Sequence, residues 1–129
     1  APGRGRRGKV RLAVGTAGDR TDEILHNLGE LAGTADDVVI SEKRHYLRGR
    51  DLDEMNAILR EGIAEAGYTR EVATIDTELS ALQALLARSR RGAVAAVMSH
   101  VARPDIFAWL EEEGFRSVDL DRLRTMVGA

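Results

Sequence analysis

The chain contains no cysteine. That excludes a disulfide framework, a thiolate nucleophile and any cysteine metal site, and it fits a cytoplasmic protein. Aromatic residues are scarce, with one Trp, two Tyr and two Phe, so recognition of nucleic acid by base stacking is not expected. No apolar run approaches the ~18 residues of a membrane span, and no signal-peptide core is present. Charge of one sign is lacking too: a formal net charge of −2 gives no general attraction for nucleic acid.

What is present is the composition of an ordinary soluble globule, 43% apolar and 31% charged. A chain of 129 residues fits one domain, which buries roughly two-thirds of its unfolded surface. It opens "APGRGRRGKV" without an initiator Met, which predicts a piece of something longer. Arg4, Arg6, Arg7 and Lys9 alternate with glycine in place of aromatics. Residues 1–9 therefore read as a solvated basic linker leading into a domain over 10–129.

Strands and helices alternate beyond that linker. Residues 10–14, "VRLAV", form a β-favouring run, and residues 21–32 carry Ile24, Leu25, Leu28 and Leu31 at helical spacing. A short branched strand is expected at 36–41, then a helix at 52–66 with Leu52, Met55, Leu59 and Ile63 on one side and Gly67 as its stop. A third strand is expected at 71–76 and a third helix at 77–88. Residues 92–100 are apolar on both faces, which predicts a central fourth strand. Pro104 opens a fourth helix that Gly114 closes. A last short strand at 115–120 and a helical turn at 123–127 complete the reading.

Such alternation implies right-handed crossovers and an α/β fold: a Rossmann-like three-layer domain, its mostly parallel sheet covered by helices on both faces. Ligands gather at the carboxyl ends of strands in these sheets. The residues expected there are 16–20, 42–50, Asp76, Thr77, Ser99, His100 and Arg103.

The glycine-rich turn "GTAGDRT" invites comparison with a phosphate cradle. A P-loop needs G-x-x-x-x-G-K-[ST], because backbone amides wrap the phosphates while the Lys neutralises them. Here only two residues separate Gly15 from Gly18, and Asp19 and Arg20 follow where Lys should stand. Gly18 then permits a tight turn, Asp19 or Thr21 caps the next helix, and Asp22 and Glu23 complement its dipole. Arg20 has no such local role. In the second rim segment, "SEKRHYLRGRDLDE", Arg48 and Arg50 flank Gly49 and offer a fork for carboxylate or phosphate, or else pair with Asp51, Asp53 and Glu54. His45 and Tyr46 read as surface loop residues.

Other chemistries are excluded by pattern. A receiver domain needs paired acids after its first strand, and an α/β-hydrolase needs a G-x-S-x-G elbow; neither occurs. Ser99 and His100 are adjacent, so on a strand they point in opposite directions. His26, His45 and His100 are scattered in sequence and imply no metal site.

Two motifs at matching separation carry a resemblance: Gly18, Asp19, Arg20, Asp22, Glu23 and Ile24, then Leu47, Arg48, Gly49 and Arg50. Across residues 9–110 the chain resembles the C-terminal domain of Mur-type ligases, and most of all the C-terminal lobe of the Mur-like half of cyanophycin synthetase. The resemblance implies an ATP-dependent, amide-bond-forming ligase working through an acyl-phosphate. In it this domain closes over a central ATP-binding domain and contacts an amino-acid or peptide substrate. ATP and Mg2+ would be held mainly by that central domain, so the fragment alone is not expected to be an enzyme. By position, Arg48 would grip the substrate carboxylate, with Arg50 second; Arg20, Asp19, Ser99 and His100 complete the implied substrate-facing set. The chain lacks a GKT/S loop and the family's "AHNP" segment, and "SHVARPD" follows the fourth strand where the family has an acidic or Gly-Lys-Gly-His-Glu loop. The alternative is a free-standing Rossmann-like module that binds an anion without catalysis.

Overall fold

The structure, a computed structural model, describes residues 9–18, 20–43, 49–100, 102–126 and 128. Its elements in chain order are β1 (Val10–Val14), α1 (Asp22–Ala32), β2 (Asp37–Ser41), α2 (Leu52–Glu65), β3 (Thr74–Ile75), α3 (Glu78–Ala87), β4 (Val94–Val97), α4 (Arg103–Glu112) and α5 (Leu120–Met126). The four strands form one all-parallel sheet in the order β3-β2-β1-β4. The α/β reading with helices on both faces of a parallel sheet therefore holds. No described helix is long and apolar enough to cross a membrane.

Local chemistry explains where the helices begin. Thr21 accepts from the Ile24 amide, Asp51 from the Asp53 amide and Thr77 from the Ser80 amide, each satisfying a donor that the first helical turn leaves open. Alternation along the strands then sorts side chains into two cores. Val14, Val38 and Ile40 face Leu25, Leu59 and Ile63 from α1 and α2. Ala13 and Val39 face Ala81 and Leu85 of α3, with Ala95 and Val97 packed beside them. At the amino end of the sheet, Asp37 pairs with Arg11 at 2.7 Å and Arg88 at 3.3 Å.

The helices α1 and α2 cross at glycines. A Cβ on Gly29 would strike the Leu59 carbonyl oxygen, and one on Gly62 would strike the His26 carbonyl oxygen. The two backbones touch there without side chains between them.

Three sequence expectations need correction. The strand expected at 92–100 shrinks to Val94–Val97 and is not central: it lies at an edge of the described sheet. Its Val94 is 56% exposed, so apolar character on both faces here does not reflect cover on both faces. The third strand is Thr74–Ile75, shorter than expected at 71–76. Residues 115–120 form no strand, since β4 pairs only with β1 among the described residues; the chain instead enters α5 at Leu120. The linker expected at 1–9 lies outside the described residues except for Lys9.

Candidate functional site at the carboxyl end of the sheet

The strand order contains a reversal. From β1 the chain crosses by α1 to β2 and by α2 to β3, and α3 then carries it back to β4 on the other side of β1. In open parallel sheets a crevice forms where the order reverses, outside the carboxyl ends of the two strands concerned. Here those ends are Val14 and Val97, followed by the turn that begins Gly15-Thr16 and by Met98, Ser99 and His100.

A buried ion pair occupies the floor of this region. Lys43, two residues beyond β2, donates its Nζ to Glu78 Oε2 at 2.7 Å, to the Met98 carbonyl at 2.7 Å and to Ser41 Oγ at 3.4 Å. Glu78, the first residue of α3, also accepts from Ser99 Oγ at 2.8 Å, the His100 amide at 2.8 Å and the Ala102 amide at 3.0 Å. Both residues are 3% exposed. Burial pushes the Glu78 carboxyl upward, but Lys43, the two backbone amides and the Ser99 hydroxyl together outweigh it and hold the group at about 2. Burial also lowers the Lys43 ammonium, opposed by its contact with Glu78. The pair thus ties the end of β2, the start of α3 and the loop after β4 into one unit.

Arg50 makes a second tie, at the surface. Its Nη1 donates to the Arg20 carbonyl at 2.9 Å, and its Nη2 to Asp22 Oδ1 at 2.6 Å and Glu54 Oε1 at 3.4 Å. Gly49 precedes it with φ +83°, a left-handed turn that suits glycine. The segment after β2 is thereby fastened to the turn after β1, and the two motifs of the sequence meet.

The expected site residues separate into groups. Arg20 lies exposed on the turn whose carbonyl Arg50 holds. The Ser99 hydroxyl and the His100 amide are engaged by Glu78, while His100 itself is exposed. The Arg50 fork is directed at acids of its own chain. Asp19 and Arg48 lie outside the described residues. Beside the rim, between β4, α3 and α4, opens an apolar cleft of about 520 Å³ with Ser99 and Arg103 among its lining. Lys43 and Glu78 were not singled out from sequence. A lysine two residues after a buried strand and a glutamate directly after a helix cap were the available signals.

The turn after β1 carries no lysine of the kind a P-loop uses to neutralise phosphates. Lys43, the one described ammonium at the carboxyl end of β2, is buried and committed to Glu78. A Cβ on Gly15 would strike the Ser41 carbonyl oxygen, so this glycine serves close packing of the turn against β2. Comparison with protein-family models and with curated proteins finds no match to the chain.

Proposed function

We propose that the chain is the C-terminal closing domain of an ATP-dependent, amide-bond-forming ligase of the Mur and cyanophycin-synthetase type. It contributes a substrate-facing rim and leaves ATP and Mg2+ to a central domain of the parent enzyme. The observation that carries the reading is Arg50, whose contacts with the Arg20 carbonyl and Asp22 fasten the two resembling motifs together at the carboxyl end of a parallel sheet. On closure the rim would shield an acyl-phosphate from water and present the incoming amine, which favours amide formation over hydrolysis. Arg48 is the residue assigned to the substrate carboxylate, and the exposed Arg20 and His100 are further members of the implied set.

The test is steady-state kinetics on the ligase that contains this domain. Arg48→Lys keeps the charge and loses the bidentate fork. Loss of the whole charge-assisted pair in Arg48→Ala is worth ~1.5–3 kcal/mol, so kcat/KM for the amino acid falls roughly ten- to a hundred-fold there, and measurably in Arg48→Lys, while KM for ATP holds. Unchanged amino-acid kinetics in both Arg48→Lys and Arg48→Ala would remove the assignment. On the isolated chain, calorimetry should show no micromolar ATP affinity, because ~8 kcal/mol of binding requires a formed phosphate site.

A further inference from the structure

His26 and Glu30 stand one turn apart on α1, and Glu65 reaches them from the last residue of α2. His26 Nδ1 lies 3.3 Å from Glu30 Oε1, and its Nε2 contacts Glu65 Oε2. One ligand atom from each of the three residues lies within 4.8 Å of the other two. We propose that these side chains form a site for a divalent first-row cation, with Zn2+ as its best match. The proposal is independent of the ligase reading.

The chemistry begins at the ring. A neutral imidazole has one N–H and one lone pair, yet both of its nitrogens here face carboxylate oxygens. Whichever nitrogen carries the lone pair is set against a negative charge, and a cation placed between them reverses that repulsion. Glu30 and Glu65 have no described Lys or Arg as an ion-pair partner; each pairs with His26. Two carboxylates around a neutral ring leave a charge that a divalent ion cancels. One nitrogen and two oxygens are a donor set that Zn2+ accepts at about 2.0–2.2 Å, with water completing the tetrahedron.

The geometry suits a fixed site. A His and a Glu at i, i+4 share one helix face. The third ligand comes from a helix whose backbone touches α1 within the same turn, because Gly62 packs against the His26 carbonyl and the Glu30 amide. The crossing fixes the backbone of both helices here. An ion on one ring nitrogen meets the carboxylate already facing it, while the other half-exposed glutamate, now on the opposite nitrogen, must swing round by side-chain torsion to join. A bound ion would staple α1 to α2.

The test is calorimetric titration of zinc chloride into the 129-residue chain at pH 7.5. The expected result is one ion per chain with micromolar affinity, weakened at least tenfold by His26→Ala and by Glu65→Gln and unchanged by His100→Ala. Zinc should raise the thermal midpoint of the parent chain and not of the two ligand variants. Midpoints in EDTA establish that each variant is folded; if His26→Ala is not, Glu65→Gln decides. Absence of binding at hundred-micromolar chain overturns the proposal, as does zinc affinity that survives both substitutions. A His26 ring that keeps two N–H protons in saturating zinc, seen by nitrogen NMR, overturns it as well, since His26 would then be an imidazolium between two carboxylates.

Discussion

Lys43 and Glu78, 35 residues apart in sequence, meet at 2.7 Å in the interior, yet they do not depend on each other equally. Without Lys43 the carboxylate retains Ser99 and two backbone amides. Without Glu78 the ammonium keeps, among the described residues, the Met98 carbonyl and a long contact to Ser41, and both amides lose the acceptor they share. Breaking a buried pair from one side typically costs about 3–5 kcal/mol. Glu78→Ala should fall in that range and Lys43→Met clearly below it. Urea denaturation of the two variants checks the order, and equal losses would contradict it.

The same carboxylate sets an acid limb. Its folded value of about 2 lies below the ordinary 4.5, so its contribution is complete above pH 4.5 and disappears as pH falls towards 2. The linkage amounts to roughly 3 kcal/mol. The stability difference between the parent chain and Glu78→Gln should therefore narrow over that window. A difference independent of pH between 5 and 2.5 would show that the charge is not what stabilises the fold.

Gly29→Ala pits two effects against each other. Helix propensity favours Ala by about 1 kcal/mol. Against it, the new methyl would strike the Leu59 carbonyl oxygen and crowd Gly62 Cα at 3.2 Å, and overpacking against backbone that cannot swing aside typically costs about 1–3 kcal/mol or more. A net loss of about 2 kcal/mol is expected in chemical denaturation. A stabilised variant would mean that α1 and α2 can separate freely.

Arg50→Ala should leave stability within about 1 kcal/mol of the parent, because its partners Asp22 and Glu54 are largely exposed. Amide exchange of residues 20–22 and 49–51 should nevertheless accelerate, since the side chain is the fastening between the two rim segments. Unchanged exchange there would mean that backbone packing alone holds the rim together.

Much of the fold was legible in the sequence because periodicity and caps agree. Thr21, Asp51 and Thr77 stand where the apolar spacing begins, and the three helices that follow start one residue later. The strand edges were less legible, for a physical reason. Val94 and Ala96 look like core residues, but pairing partners follow from strand order, which hydrophobicity does not encode. The same holds for the site. Thr16, Ser99 and His100 were placed at strand ends by alternation alone, whereas Lys43 reaches Glu78 only through the way β2 and α3 come together. His26 looked isolated when weighed only against other histidines. Its carboxylate neighbours are a helical turn away and on a second helix, and the second of these is fixed by the glycine crossing.

The position of β1 between β2 and β4 has a kinetic consequence. Arg11 finds Asp37 across a short local loop, while Val10 finds Val94 only after most of the chain has been made. Closing the longer loop is entropically harder and slows folding. The β1-α1-β2 unit with its glycine crossing can assemble early, whereas β4 arrives from far along the chain. The loop after β4 carries Ser99 and the amides that hold Glu78, so the crevice between β1 and β4 cannot take shape before that long-range pairing forms.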